Sequence, residues 1–118
     1  MDESGLHDCA TVDILIVMSM DLQTALVSEA GYERTAIVGR ALADPKRLCV
    51  LESLATGELS VSELSLRVGC QIPNMSQHLA VLRSAGLVAT RRDGSTVYYR
   101  LADPRVLEAY HLLQSIAR

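Results

Sequence analysis

The spacing of apolar residues changes at Gly86, and this change limits the folds that the chain can adopt. Before Gly86, apolar residues recur every three to four positions, as they do on one face of a helix. After it, in Leu87–Arg92 and Thr96–Leu101, they alternate with polar residues, as in a half-buried strand. Asp93-Gly94, which joins the two segments, favours the positive φ angles of a tight turn. The sequence therefore predicts a β-hairpin that follows a group of helices.

Two helices are predicted in the first half of the chain. Helical spacing begins at Asp21, is broken at Gly31 and continues to about Ala43. Asp44-Pro45 then begins a second helix, because Asp is a favourable N-cap and Pro is favoured at the first helical position. Gly57 ends this second helix.

Three further helices complete the predicted fold. Ser60 and Glu63 have the spacing of a capping box at the start of a short third helix, which ends at Gly69. A fourth helix is predicted from about Pro73 to Ala85, and Asp103-Pro104 caps a last one. The third and fourth helices form a helix-turn-helix, whose second helix lies in the major groove of DNA. The predicted fold is mainly α (α+β), a winged helix-turn-helix with the order α-α-α-α-β-β-α.

The 118 residues are enough for one domain. We divide the chain into an N-terminal arm, residues 1–20, and a winged helix-turn-helix domain, residues 21–118. The arm is acidic and lacks helical periodicity, and Met18 and Met20 are alternative starting residues. The sequence leaves open whether the arm is ordered, because chain ends are ordered only where something holds them.

The fourth predicted helix has one apolar face and one polar face. Met75, Leu79 and Leu82 lie on the same side of a helical wheel and are predicted to face the core. Amide side chains on the other sides can pair with base edges, and Gln77 is the first candidate. The ring of His78, at the edge of the apolar face, either contacts a base or makes a local hydrogen bond. The candidate base contacts are Pro73, Asn74, Ser76, Gln77 and His78.

The formal net charge of −3 is distributed unevenly along the chain. Five arginines and one acidic residue fall between Leu66 and Leu101, which gives this segment a local charge of +4. Charge within a Debye length governs attraction to phosphate, so the segment is predicted to face nucleic acid. Arginines at the hairpin also protect a strand edge from aggregation, and the two roles are compatible. The candidate phosphate contacts are Arg83, Arg91, Arg92 and Arg100.

Three stretches of the chain together resemble the ArsR/SmtB family of winged-helix repressors. They read RALADPKRLCVLESLATGELSVSELS, VGCQIPNMSQHLAVLRSAGLVATRRDG and TVYYRLAD, and they cover Arg40 to Asp103. The resemblance implies a homodimer formed through the first and last helices, here around Ala36–Leu42 and Val106–Ile116. It also implies a palindromic DNA operator, which the repressor releases when an inducer binds or a thiol reacts.

The sensor motifs of the family are largely missing from this sequence. Soft-metal sensors of the family carry two cysteines where this chain has Ser60 and Ser62, and hydroxyl groups are poor ligands for soft metals. Zinc sensors carry Asp-x-His in the last helix, where this chain has Asp103 but Arg105, and His111 alone cannot complete a tetrahedral site. Thiol sensors carry a cysteine near the position of Glu52 and a second one in the last helix.

Cys9 and Cys49 are the remaining sensor candidates. Cys49 lies on the flank of the second predicted helix, and with Cys9 it could form a disulfide or bind a thiophilic divalent metal, with His7 or Asp8 as a further ligand. Alternatively, Cys49 is a tolerated small residue. Cys70 follows the turn glycine, where it either packs in the core or acts as a redox trigger.

These patterns predict a sequence-specific DNA-binding regulator, a homodimeric repressor that a metal ion or thiol oxidation releases from its operator. One alternative is the same repressor without a small-molecule sensor, controlled by expression or a protein partner. Another is a winged-helix domain that contacts only proteins. An enzyme is not expected, because the sequence has no nucleophile–base pair, phosphate loop or metal motif. A cytoplasmic protein is expected, because no secretory signal precedes the domain and the longest apolar run, Ile14–Met18, is too short to span a bilayer.

Overall fold

The computed structural model describes residues 28–117. The chain divides between Ile37 and Val38, and the packing given below is that of Val38 onwards. The predicted arm, residues 1–20, lies outside the described residues. In the described part of the chain, no helix is both long and apolar enough to cross a bilayer. The elements are α1 (Glu29–Leu42), α2 (Pro45–Ser53), a 3-10 turn (Leu54–Thr56), β1 (Leu59–Ser60), α3 (Val61–Val68), α4 (Ile72–Ser84), β2 (Val88–Asp93), β3 (Thr96–Leu101) and α5 (Arg105–Ala117).

This order confirms the winged helix-turn-helix, with two differences from the prediction. The break at Gly31 was wrong, because α1 continues through it. The Ser28 hydroxyl accepts a hydrogen bond from the backbone N–H of Gly31 at 3.0 Å. Gly31 therefore lies in a capped first turn, where a side chain supplies the missing helical bond.

The second difference is β1, a strand of two residues that is too short to show any periodicity. It pairs antiparallel with β3, with Leu59 opposite Tyr99 and Ser60 opposite Tyr98. The sheet order is β1-β3-β2, so the hairpin is joined to the strand that immediately precedes α3. Gly94, at the tip of the hairpin, has the predicted positive φ of 64°.

Local capping bonds begin α2 and α3 where the sequence predicts. The Asp44 carboxylate accepts from the backbone N–H of Lys46 at 2.8 Å and of Arg47 at 3.2 Å. The Ser60 hydroxyl accepts from the N–H of Glu63 at 3.2 Å, and the Glu63 carboxylate accepts from the N–H of Ser60 at 2.8 Å. This reciprocal pair is the predicted capping box.

The turn between α3 and α4 reverses the chain at Gly69, which is left-handed with φ 74° and ψ 51°. The Lys46 ammonium donates to the carbonyls of Val68 and Gly69, each at 3.2 Å. The first turn of α2 thus holds the end of α3 and orients the helix-turn-helix.

The core is built from aliphatic side chains of α2, α3, α4 and the hairpin. Met75, Leu79 and Leu82 are each 0% exposed, which confirms the predicted inward face of α4. Its opposite side is therefore turned outwards. The largest fully buried side chains are Leu51, Leu64, Met75, Leu79, Leu82 and Val50.

The start of α5 depends on ionised Asp103. Its carboxylate accepts from the Arg105 guanidinium at 2.7 Å and from the Arg105 backbone N–H at 2.8 Å. The hydrogen bond from the Arg105 side chain, followed by that from its backbone, lowers the pKa of Asp103 from 3.8 to about 2.

We expect this carboxylate to add stability that is fully present above pH 3.8 and is lost as the pH falls towards 2. Asp103→Asn keeps a side-chain oxygen for the cap but removes the ionisation. The urea midpoint of the variant should therefore change less between pH 5 and pH 2.5 than that of the wild type. Equal changes of the urea midpoint in the two proteins would show that ionised Asp103 does not stabilise the fold.

Candidate nucleic-acid interface

The outward side of α4 presents a row of short polar side chains. Asn74, Ser76 and Gln77 are exposed, as is Pro73, whereas His78 is half-buried. Gln71 occupies the N-cap without a side-chain capping bond to any described residue. The first-turn N–H groups lie at the same end of α4 as these amides and carry the positive end of the helix dipole.

An open groove of about 570 Å³ lies beside this row. One wall is α4, with Asn74, Gln77 and His78, and another is the start of α2, with Lys46 and Arg47. Neither cation was among the predicted DNA contacts, since only the fold brings them beside α4. The remaining lining residues are Gly69, Cys70, Gln71 and Val81.

Arg47 connects the end of α1 to α4. Its guanidinium donates to the carbonyls of Ala41 at 2.7 Å and Arg40 at 3.1 Å. A third nitrogen lies 3.4 Å from Nδ1 of His78. Because a guanidinium can only donate, Nδ1 is assigned as the acceptor and Nε2 as the nitrogen that carries the ring proton. His78 therefore contacts a side chain from another helix, and Nε2 keeps an N–H to donate.

The hairpin arginines do not form one cluster. Arg91 is opposite Tyr98, Arg92 is opposite Val97, and Arg100 is opposite Ala89. Residues directly opposite each other share a face of the sheet and neighbours along a strand do not, so Arg91 and Arg92 project to opposite faces. All three hairpin arginines are exposed, as is Arg83 at the end of α4.

Arg91 has a carboxylate partner that the sequence did not reveal. Its Nε lies 3.1 Å from both carboxylate oxygens of Glu58, and a second nitrogen donates to Oε1 at 2.8 Å. The guanidinium carbon also lies 5.1 Å from the ring centroid of Tyr98. The hydrogen bond from Arg91 holds the pKa of Glu58 below its usual value, and the same bond raises the pKa of Arg91. We call Glu58, Arg91 and Tyr98 the wing clasp.

The sensor candidates are only partly covered by the structure. Cys49 is an exposed free thiol on α2, and Cys9 lies outside the described residues. Within residues 28–117, no group of three His, Cys, Asp or Glu side chains is placed to hold a metal ion. Cys70 is half-buried at the turn, with its thiol 3.5 Å from the carbonyl of Gln71.

Aliphatic side chains are exposed along α5. Leu112 is 66% exposed, Leu113 is 50% exposed and Ile116 is 77% exposed. We call these three residues the α5 apolar surface. Beside it lies a largely apolar groove of about 300 Å³, lined by Leu42, Leu48, Tyr110, Leu113, Gln114 and Ala117. Contiguous exposed apolar area of this kind is typical of an association surface.

A family of known proteins matches the segment from the start of α2 to the start of β2. Residues 44–90 match the family described as "Bacterial regulatory protein, arsR family". The HTH-type transcriptional regulator KmtR of Mycobacterium tuberculosis is 56% identical over 69 residues, which are 58% of this chain and 53% of KmtR. The biofilm growth-associated repressor of Agrobacterium fabrum is 42% identical over 88 residues, 75% of each protein. The chain thus spans about half the length of the first relative and three quarters of the second.

A solved structure shows the same architecture. The homodimeric winged helix-turn-helix DNA-binding domain from Mycobacterium bovis is 39% identical and superposes with a TM-score of 0.70. The match covers 75% of this chain and 82% of that domain.

Proposed function

The chain belongs to the arsR family of bacterial regulatory proteins, which are DNA-binding transcriptional regulators rather than enzymes, and on that premise we propose that it is a homodimeric repressor of a palindromic operator. In this proposal α4 enters the major groove, and its N-terminal half reads base edges while arginines contact phosphates. The observation that carries the proposal is the exposed polar row on a helix whose other face is completely buried.

The proposed base contacts follow from position and chemistry. The N-terminal residues of a recognition helix reach deepest into the groove, and Gln and Asn can bond adenine through two atoms. Gln77 and Asn74 line the groove beside α4, and His78 offers an N–H at Nε2. Backbone phosphates are assigned to long, exposed cations. The base contacts are Pro73, Asn74, Ser76, Gln77 and His78, and the phosphate contacts are Arg83, Arg92 and Arg100.

The direct test is binding of the purified protein to labelled DNA from upstream of its own gene, followed by fluorescence anisotropy. We expect one saturable site with twofold symmetry, bound at least about a thousand times more tightly than unrelated DNA. Binding without such a preference would contradict the proposed repressor. No DNA binding at all would favour a winged helix that contacts only proteins.

Gln77→Ala and Arg92→Ala should separate base reading from phosphate contact. We expect Gln77→Ala to cost about 1 to 3 kcal/mol at the operator and to relax preference at one base pair in each half-site, with little effect on unrelated DNA. Arg92→Ala should weaken binding to all DNA and make its salt dependence shallower by about 0.9 per protomer. Anisotropy titrations against single-base operator variants measure both effects. If Gln77→Ala leaves affinity and preference unchanged, the orientation proposed for α4 is wrong.

Release from DNA is proposed to follow binding of a thiophilic metal or thiol oxidation through Cys49, together with Cys9. Support for this comes from the exposure of the Cys49 thiol. The alternative is the same repressor without a small-molecule sensor. To separate them, the operator complex is treated with divalent metals, peroxide, persulfide or diamide, and Cys49→Ser is tested alongside. Weakened binding that Cys49→Ser prevents supports the sensor, whereas unchanged binding under every treatment supports the alternative.

A further inference from the structure

The wing clasp holds the side chain of Arg91, one of the exposed hairpin arginines, between Glu58 and Tyr98. Its members come from the loop before β1, from β2 and from β3, and the strands bring them into register. Ser60 is opposite Tyr98, and Tyr98 is opposite Arg91 on its other side. Glu58 is two residues before Ser60, so the guanidinium reaches over the Tyr98 ring to the carboxylate.

The hydrogen bonds from Arg91 to Glu58 compete with hydrogen bonds from Arg91 to a DNA phosphate. A carboxylate and a phosphate both accept two parallel hydrogen bonds from the planar guanidinium, and Glu58 already occupies the edge of Arg91 formed by Nε and Nη2. A phosphate at the remaining edge would meet a guanidinium whose positive charge Glu58 already balances. The Glu58 carboxylate is part of the same chain and is always close to Arg91. A phosphate must either displace this carboxylate or bind beside its negative charge, and both reduce the gain from a new contact. The side chain of Arg91 is nevertheless 49% exposed, so nothing in the described residues covers the guanidinium completely.

We propose that Glu58 is a specificity-determining residue of the DNA-binding surface, because it keeps Arg91 in the wing clasp and so withholds one phosphate contact from each protomer. Arg91 is then a positioning residue, which ties the hairpin to the strand before α3. The affinity for DNA of any sequence is then lower than the number of arginines suggests. A larger share of the binding free energy comes from contacts with bases. This inference rests on the proposed function.

Salt dependence of binding to an unrelated duplex tests the proposal, because each phosphate contact contributes about 0.9 to the slope of log affinity against log salt. We expect Glu58→Gln to steepen the slope by about 0.9 per protomer, or about 1.8 for the dimer, so that the affinity of the dimer falls about 12-fold further between 50 and 200 mM salt. Arg91→Ala should leave the slope unchanged, whereas Arg92→Ala should make it shallower. The double variant Glu58→Gln/Arg91→Ala should return to the wild-type slope.

Glu63→Gln is the matched control for the lost negative charge. It removes the same charge nearby, and Gln preserves the capping box at α3. Equal slopes for Glu58→Gln and Glu63→Gln would overturn the proposal. So would a slope for Arg91→Ala that is as shallow as that of Arg92→Ala.

Hydrogen exchange gives a readout without DNA. The backbone amides of β2 and β3 should exchange faster in Arg91→Ala than in Arg92→Ala, because only the former breaks the tie to Glu58. Equal exchange would overturn the positioning role. If the wild-type protein bound no DNA, the proposed function and the specificity role would both fail, while the exchange comparison would still decide whether the clasp fixes the hairpin.

Discussion

Ile116→Glu is expected to turn the dimer into a monomer and to weaken operator binding at least about a hundredfold. Ile116 is the most exposed residue of the α5 apolar surface, at 77%. In a twofold-symmetric contact the same patch meets itself, so one substitution buries two carboxylates in apolar surroundings. Each monomer would then bind its half-site without the other, and the gain from linked binding would be lost. Sedimentation velocity measures the association state, and anisotropy on the full palindrome measures the affinity.

Ser115→Glu is the control for Ile116→Glu. It adds the same charge one residue earlier, on an exposed side chain about 100° around the helix. We expect this variant to remain a dimer and to bind the operator nearly as the wild type does. A dimeric Ile116→Glu with wild-type operator affinity would show that α5 does not form the subunit contact.

Leu79→Ala is expected to lower the free energy of unfolding by about 2 to 5 kcal/mol. Leu79 is 0% exposed and lies between Met75 and Leu82 on the inward face of α4, where removal of three carbon atoms leaves a cavity. A domain of this size has a total stability of about 5 to 15 kcal/mol, so a large part of it would be lost. Urea denaturation followed by far-ultraviolet circular dichroism measures the change.

Val81→Ala is the companion variant, in the same helix but 40% exposed. We expect it to lower stability by less than about 1 kcal/mol, since its side chain is not fully removed from water on folding. Similar losses in Leu79→Ala and Val81→Ala would contradict the assignment of the inward face of α4. DNA binding measured on the same two variants would also show how much binding is lost through unfolding alone. A variant that binds DNA weakly but unfolds like the wild type has instead lost a contact.

Features that depend on neighbours in the chain could be predicted from the sequence. The Asp44 cap, the capping box of Ser60 and Glu63, and the turn at Gly94 each need only residues two or three apart. The inward face of α4 could be predicted for the same reason, because helical periodicity fixes which residues share a side.

Features that depend on distant residues could not be predicted. His78 meets Arg47 across 31 positions, and Arg91 meets Glu58 across 33. No local sequence pattern indicates such a pair, since the chain has several carboxylates and several arginines and any of them is a possible partner. The alternation of side chains along a strand can be predicted, however, and it places Arg91 and Arg92 on opposite faces of the sheet from the sequence alone.

The bonds made by Lys46 and Arg47 bear on how a signal could reach DNA. A single helical turn of α2 holds the last carbonyls of α1 and α3 and also the imidazole of α4. The end of α1 from Val38 onwards is therefore expected to move together with α2, α3 and α4 rather than to bend against them. If the protein binds a palindrome as proposed, release requires a change in the separation or the relative rotation of two such units, because half-sites on DNA are spaced at about 34 Å. Distances between spin labels on the two copies of α4 would report that change directly.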